Sequence, residues 1–308
     1  MSKIFLFTLV LFIAALNADA QGCSDAGVCT IHSIKNNTMK ADENDSSKNE
    51  VVVGFNFGKG ERSISYYTSE VEYTRTIAKQ ISLTGKIEYT AINGELAHVN
   101  GAGDLFLSVN HSFDTKKKWQ KSFVVGFKIP FDDANTGKNG IFLPMPYQTS
   151  LGTTDLVLGL NFMHESFGAT IAVQQPLKPV NGNSFLPENY SSIPLAAKYL
   201  PTNEFSRKGD VLVRLSYDFD INKKFSIRPS LLSIYHEAND TYLDGNKVRK
   251  EIVGSTGFTI NGNLFLQYEL NKTSGFELSF GAPFVVRDKR PDGLTRHFVA
   301  ALDYKIKF

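Results

Sequence analysis

The sequence predicts an all-β protein: a transmembrane antiparallel β-barrel of about twelve strands (ten to fourteen), with a short N-terminal extension. Three observations lead there. Apolar and polar residues alternate in segment after segment from Val51 onward, and the links between those segments alternate between short and long. The last segment also stops on an aromatic residue, Phe308, in register with its own apolar face.

The chain opens with a different pattern. Lys3 precedes an apolar run from Ile4 to Leu16 broken only by Thr8, and Ala18-Asp19-Ala20 follows as a small-x-small triplet. That is the layout of a secretory signal peptide over residues 1–20. The run is shorter than the roughly 20 residues a membrane helix needs, so a cleaved leader is expected rather than an anchor. Residues 21–49 show little periodicity and turn strongly polar after Lys35, as an extension or linker does. The two cysteines of the chain, Cys23 and Cys29, both fall there. In an oxidising compartment they can pair across a short loop.

Composition narrows the class of the remainder, residues 50–308. The 308-residue chain carries 33 basic and 31 acidic side chains, a net charge of +2. Such balance argues against a nucleic-acid surface, which needs a basic excess on one face. Mean hydropathy is −0.17, and no long apolar stretch follows the leader. Helical spans are therefore excluded. Membrane strands are not, because lipid-facing and inward-facing residues alternate and average out.

The strands are expected in order at Val51–Phe57, Ile64–Ile77, Ile81–Ala91, Leu105–Phe113, Phe123–Phe131, Leu156–Phe162, Phe167–Val173, Val211–Phe219, Phe225–Tyr235, Phe258–Leu270, Phe276–Arg287 and Phe298–Phe308. The last is the cleanest. Phe298, Ala300, Leu302, Tyr304, Ile306 and Phe308 share one face, with Asp303, Lys305 and Lys307 on the other. Short polar links such as Ala78-Lys79-Gln80, His164-Glu165-Ser166 and Asn222-Lys223-Lys224 take turns with long ones at 93–102, 132–153, 177–209, 238–250 and 288–295. Outer-membrane barrels have short periplasmic turns and longer extracellular loops, whereas a sandwich has no reason to sort its loops by parity. Several segments also reach the length of roughly 9–11 residues that a tilted membrane strand requires.

Two stretches resemble known proteins. Leu302, Tyr304, Ile306 and terminal Phe308 resemble the C-terminal signal read by the outer-membrane barrel assembly machinery. In mid-chain, Gly101-Ala102-Gly103-Asp104-Leu105 opens one strand and Phe123–Phe131, with Lys128-Ile129-Pro130, forms the next. Leu151-Gly152-Thr153-Thr154-Asp155 opens a third. This series resembles the outer-membrane MetA-pathway of phenol degradation family, a relative of the FadL/TodX-like transporters of hydrophobic compounds. The third opening departs from the family pattern by lacking its second glycine. The resemblance implies that Gly101, Gly103, Asp104 and Asp155 shape the barrel mouth, with both aspartates at the rim. It also implies that residues 21–49 plug the lumen. From the residues alone, the glycines are strand-opening turns and the extension a plain leader.

Pro130, Pro229 and Pro283 fall inside alternating segments, where proline cannot donate to a ladder. Each marks either a bulge or strand end, or a kink that opens the wall sideways as the resemblance implies. Pro130 and Pro283 are the kink candidates, with Pro283 read as the most interior. Charges on a lipid face are costly, so Glu70, Glu72, Lys86, Glu88, Lys128, Arg214, Asp218, Arg228, Glu269, Glu277, Arg287 and Asp303 are expected to face the lumen. They form either packing ladders or a selective polar passage.

Catalysis is not expected. Asn110-His111-Ser112 places histidine and serine on opposite faces, and His32, His98, His164, His236 and His297 show no metal-ligand spacing. No cofactor or metal is implied. The expected protein is a Gram-negative outer-membrane channel or transporter in contact with lipid. By the resemblance it takes up small hydrophobic compounds passively, captured by the 177–209 loop with Phe185, Leu186, Tyr190, Ile193 and Leu195. The alternative is a barrel without transport, serving adhesion or envelope structure.

Overall fold

The computed structural model describes residues 47–113, 118–138, 140–293 and 296–308. The signal peptide, Cys23 and Cys29 lie outside the described residues, as does nearly all of the extension.

Twelve antiparallel strands close into a barrel. In chain order they are β1 Asn49–Gly60, β2 Ser65–Ala78, β3 Ile81–Asn93, β4 in two segments (His98–Ala102 and Asp104–Ser112), β5 Trp119–Pro130 and β6 Thr154–His164. Then follow β7 Phe167–Lys178, β8 in two segments (Asp210–Tyr217 and Phe219–Asp220), β9 Phe225–His236, β10 Gly257–Glu269, β11 Ser274–Val285 and β12 Arg296–Lys307. Each strand pairs with its sequence neighbours, and β12 returns to β1. At the seam the Asn49 N–H donates to the Phe308 carbonyl at 3.1 Å, and the Phe308 N–H to the Asn49 carbonyl at 3.0 Å. Closure leaves no unpaired edge, which hydrocarbon does not tolerate.

Alternation decides which side chains meet lipid. On the outer face Phe55 is 61% and Ile87 49% exposed, while the flanking Glu70 and Lys86 are buried inside. Aromatic residues gather at both ends of the outer face. Phe57 packs on Tyr67 and Tyr235 on Phe258 at the long-loop end. Trp119 packs on His164, Phe276 on Tyr304, and His111 edge-on to Phe113 at the other. Such girdles suit the amphipathic interface on each side of a bilayer. His111 belongs to one of them.

The two interrupted strands have local causes. Around Gly103 the register shifts by one residue, from Ala102 opposite Tyr89 to Phe106 opposite Lys86, and the Gly103 N–H donates to the Glu88 carbonyl at 2.8 Å. The gap in β8 keeps its register, from Ser216 opposite Ser230 to Phe219 opposite Ile227, and falls beside Pro229, which has no N–H to give. Pro229 is thus the proline deepest within its strand, correcting the expectation for Pro283. Pro130 ends β5, and Pro283 lies beside a bulge that leaves Phe284 as the extra residue of β11.

At one end the strands are joined by tight links, 79–80, 165–166, 221–224 and 270–273. At the other, 131–153, 179–209, 237–256 and 286–295 are long, and their described residues turn inward over the barrel mouth.

Candidate functional site

The inner face carries charge in compact groups, each built from side chains two residues apart or on adjacent strands. Lys86 on β3 has no solvent exposure. Its Nζ lies 2.9 Å from Glu70 Oε2 on β2 and 2.8 Å from Glu88 Oε1. Asn56 Nδ2 donates to the same Glu70 carboxylate at 2.8 Å. A second group centres on Lys128 of β5, whose Nζ lies 3.0 Å from Asp155 Oδ2 and 3.4 Å from Asp104 Oδ2. Lys128 also donates to Thr153 Oγ1 at 3.1 Å, and Gln174 Nε2 donates to Asp155. Nearer the short turns, Lys305 pairs with Glu277 at 3.2 Å and Arg228 with Asp218.

Asp104 and Asp155 lie toward the long-loop end of β4 and β6. They are not solvated rim charges, however: both are buried, because the 131–153 loop folds down onto them. Ser150 of that loop donates to Asp104 at 2.5 Å. Gly101 and Gly103 give the loop room, since a Cβ at Gly101 would lie 3.0 Å from Thr149 Oγ1 and one at Gly103 3.3 Å from the Thr149 carbonyl. Glu72, Lys86, Lys128, Arg214, Arg228, Glu277, Arg287 and Asp303 are all buried, while Glu88, Asp218 and Glu269 are half-buried. Arg287 lies beyond the end of β11, in the loop toward β12.

The loops themselves make an apolar cap. Leu143, Tyr147, Phe185, Ala196 and Tyr199 pack with Ile64, Tyr66 and Ile92 of the barrel wall. The Tyr147 hydroxyl accepts from the Leu96 N–H and pairs with the Tyr199 hydroxyl, both at 3.1 Å. Asn183 stitches two loops together, donating to the Ala134 carbonyl at 2.7 Å and accepting from Thr202 Oγ1 at 2.7 Å. Phe185 and Leu186, expected as a capture surface, are instead buried, with Phe185 in the core of this cap. Apolar loop residues over a closed barrel mouth have one another to pack against, and water contact is lost first there.

Beneath the cap lies a cavity of about 120 Å³, whose lining includes Tyr66, Glu70, Glu88, Asp104, Gln148 and Arg296. Beside it is a further charged group that no spacing in the sequence announced. His236, at the end of β9, lies between Asp210 of β8 and Asp240 of the following loop. Arg207, Arg287 and Asp292, from two further loops, complete it. Burial disfavours the Arg207 charge, but Asp210, Asp155 and Asp292 outweigh that and fix it in the protonated form. Burial likewise opposes ionisation of Asp292, yet Arg287 and Arg207 hold its carboxyl below the usual range. Both ring nitrogens of His236 are taken by carboxylates. Neither is left to accept a proton from a nucleophile, so this is not the arrangement of a catalytic base.

Comparison with known structures agrees with the fold. The COG4313 outer membrane channel from Pseudomonas putida F1 superposes with a TM-score of 0.57 at 10% identity, covering 85% of this chain and 96% of that one. The KdgM porin gives 0.45 at 8% identity, with 84% and 99% covered. The NanC porin gives 0.46 at 11%, with 84% and 98% covered. At 10% identity the likeness to the Pseudomonas putida channel is one of fold. No family model and no curated protein matches the chain.

Proposed function

We propose that this chain is an outer-membrane channel through which small solutes pass without energy input. The observation that carries the reading is the inner face: a closed barrel whose interior is lined with hydrogen-bonding and charged groups, with a cavity of mixed polar and apolar lining below a cap of folded loops. Lys86, Lys128 and Lys305 each stand among carboxylates, so no long stretch of one sign repels ions of that sign. Such an interior suits small polar or amphipathic solutes. The outer face would lie in lipid between its two aromatic girdles, and the strand through Leu302, Tyr304, Ile306 and Phe308 would serve assembly into the membrane.

A second reading keeps small hydrophobic compounds as the cargo. It is favoured by the apolar cap around Tyr147, Phe185 and Tyr199, which an apolar solute could enter if the loops parted. The charged groups below would then turn such a solute aside, toward the wall near Pro283 rather than down the axis.

Swelling of liposomes that contain the purified barrel tests both. Swelling in isotonic small sugars and amino acids, falling with solute size, is expected. Failure to swell, together with saturable transfer of a small aromatic hydrocarbon into the bilayer, would favour the second reading. Neither behaviour would leave a structural or adhesive barrel.

A further inference from the structure

His236 has carboxylates on both sides of its ring. Nδ1 lies 2.7 Å from Asp210 Oδ1, and Nε2 lies 2.9 Å from Asp240 Oδ1. An ionised carboxylate only accepts hydrogen bonds, and a neutral imidazole has one N–H to give. Both contacts are therefore satisfied together only when the ring carries two protons. The ring is 1% exposed, so water cannot stand in for a lost bond.

What these contacts join is the cap. Asp210 opens β8 directly opposite His236 in the ladder. Asp240 belongs to the 237–256 loop, and its carboxylate also accepts from the Lys208 N–H of the 179–209 loop at 2.9 Å. On its other side stands Arg287 of the 286–295 loop, 4.0 Å from Asp240 Oδ2. Arg287 in turn donates to Asp292 at 2.8 Å and to the Ser255 carbonyl at 2.7 Å. Arg207 contacts Asp210 and lies 4.0 Å from Asp292. The charged groups around the ring are thus Asp210 from β8, Arg207 from the 179–209 loop, Asp240 from the 237–256 loop, and Arg287 and Asp292 from the 286–295 loop. Asp155, which also acts on Arg207, has Lys128 as its own cation; among the rest three carboxylates face two guanidiniums, and an imidazolium supplies the third cation.

We infer that His236 is a pH-operated latch that holds three loops shut over the barrel mouth. With the ring doubly protonated the group is neutral and every loop is tied to it. When the ring loses a proton, one buried carboxylate faces a nitrogen lone pair and the group carries a surplus negative charge. Asp210 is fixed in the ladder, and Thr241 keeps the 237–256 loop bridged to Ser206, so what gives is the Asp240 carboxylate. It swings off the ring, releases the Lys208 N–H and loosens the tie to Arg287 of the 286–295 loop. Acid closes the mouth and mild alkali opens it; this direction rests on the channel reading above.

The test uses the full barrel in two settings, over about pH 5 to pH 9 to bracket the histidine range. Protection of the Lys208 amide against hydrogen exchange, corrected for the intrinsic pH dependence, reports the latch in detergent micelles. Open probability in planar bilayers reports the mouth. Protection should fall and open probability rise several-fold with pH. A His236→Gln barrel that still shows the heat-dependent mobility shift of a folded barrel should be open and unprotected throughout. Should that variant not fold, the wild-type protection profile decides alone. The latch is overturned if Lys208 protection does not change with pH, or if His236→Gln keeps the wild-type response. Loss of protection without current at any pH would uphold the latch and remove the channel reading.

Discussion

Lys128 Nζ on β5 lies 3.0 Å from Asp155 Oδ2 on β6, and neither side chain touches solvent. Removing one member of a buried pair leaves an uncompensated charge, at about 3–5 kcal/mol. Lys128→Met is expected to lower barrel stability by that order, read from the temperature at which the compact gel band is lost. Lys128→Met with Asp155→Leu should recover part of the loss, because the stranded carboxylate goes too.

Gly54 is the gap across which two acidic residues lean. A Cβ there would sit 2.5 Å from Asp303 Oδ1 and 2.7 Å from Glu70 Cγ. Gly54→Val should therefore destabilise the barrel by about 1–3 kcal/mol through overpacking. Gly85→Ala is the control, since its Cβ would meet only Leu107 Cδ2 at 3.5 Å, an ordinary contact. Urea unfolding in lipid vesicles measures both.

The outer face makes the opposite demand. Leu158 on β6 is 39% exposed, midway along a strand whose neighbours Val125 and Val173 point the same way. Leu158→Arg should destabilise the vesicle-embedded barrel by about 2–4 kcal/mol, the range for arginine at a bilayer midplane. A negligible effect would mean that this face does not lie in lipid.

Stronger acid, below the range of the histidine, should loosen the cap through another member of the His236 group, Asp292. The folded Asp292 carboxyl is depressed by Arg287 and Arg207, so its contribution is complete above the ordinary carboxylate value. It is lost only as pH falls below about 4, through the folded value. Protease access to the 286–293 segment should rise in that window. Asp292→Asn should show the loosened state already at neutral pH.

The strands were legible because alternation is a property of single residues. Phe276, Leu278 and Phe280 declare an outer face whether or not their partners are known, and the parity of most loop lengths points to the closed arrangement. The long link expected at 93–102 is only 94–97, because His98–Ala102 pairs with β3. The cap was not legible. Tyr147, Phe185 and Phe205 lie in segments without periodicity, and the apolar residues of 177–209 read equally well as an exposed surface. Lys86 between Glu70 and Glu88 can be foreseen from adjacent strands. His236 could not be, because Asp240 reaches it from one loop, with Arg287 of another behind Asp240, and the inward fold of those loops has no local signature. Asp104 and Asp155 read as solvated charges for the same reason: Asp104 is covered by Ser150 of a loop, and Lys128, which holds Asp155, is itself held by Thr153 of that loop.

The most direct measurement is single-channel recording of the purified, folded barrel in planar bilayers, made at neutral and mildly alkaline pH. Discrete conductance steps of uniform size, more frequent at the higher pH, are the predicted result. A barrel that shifts mobility on heating, inserts into the bilayer, and yet stays electrically silent at every pH would contradict a channel.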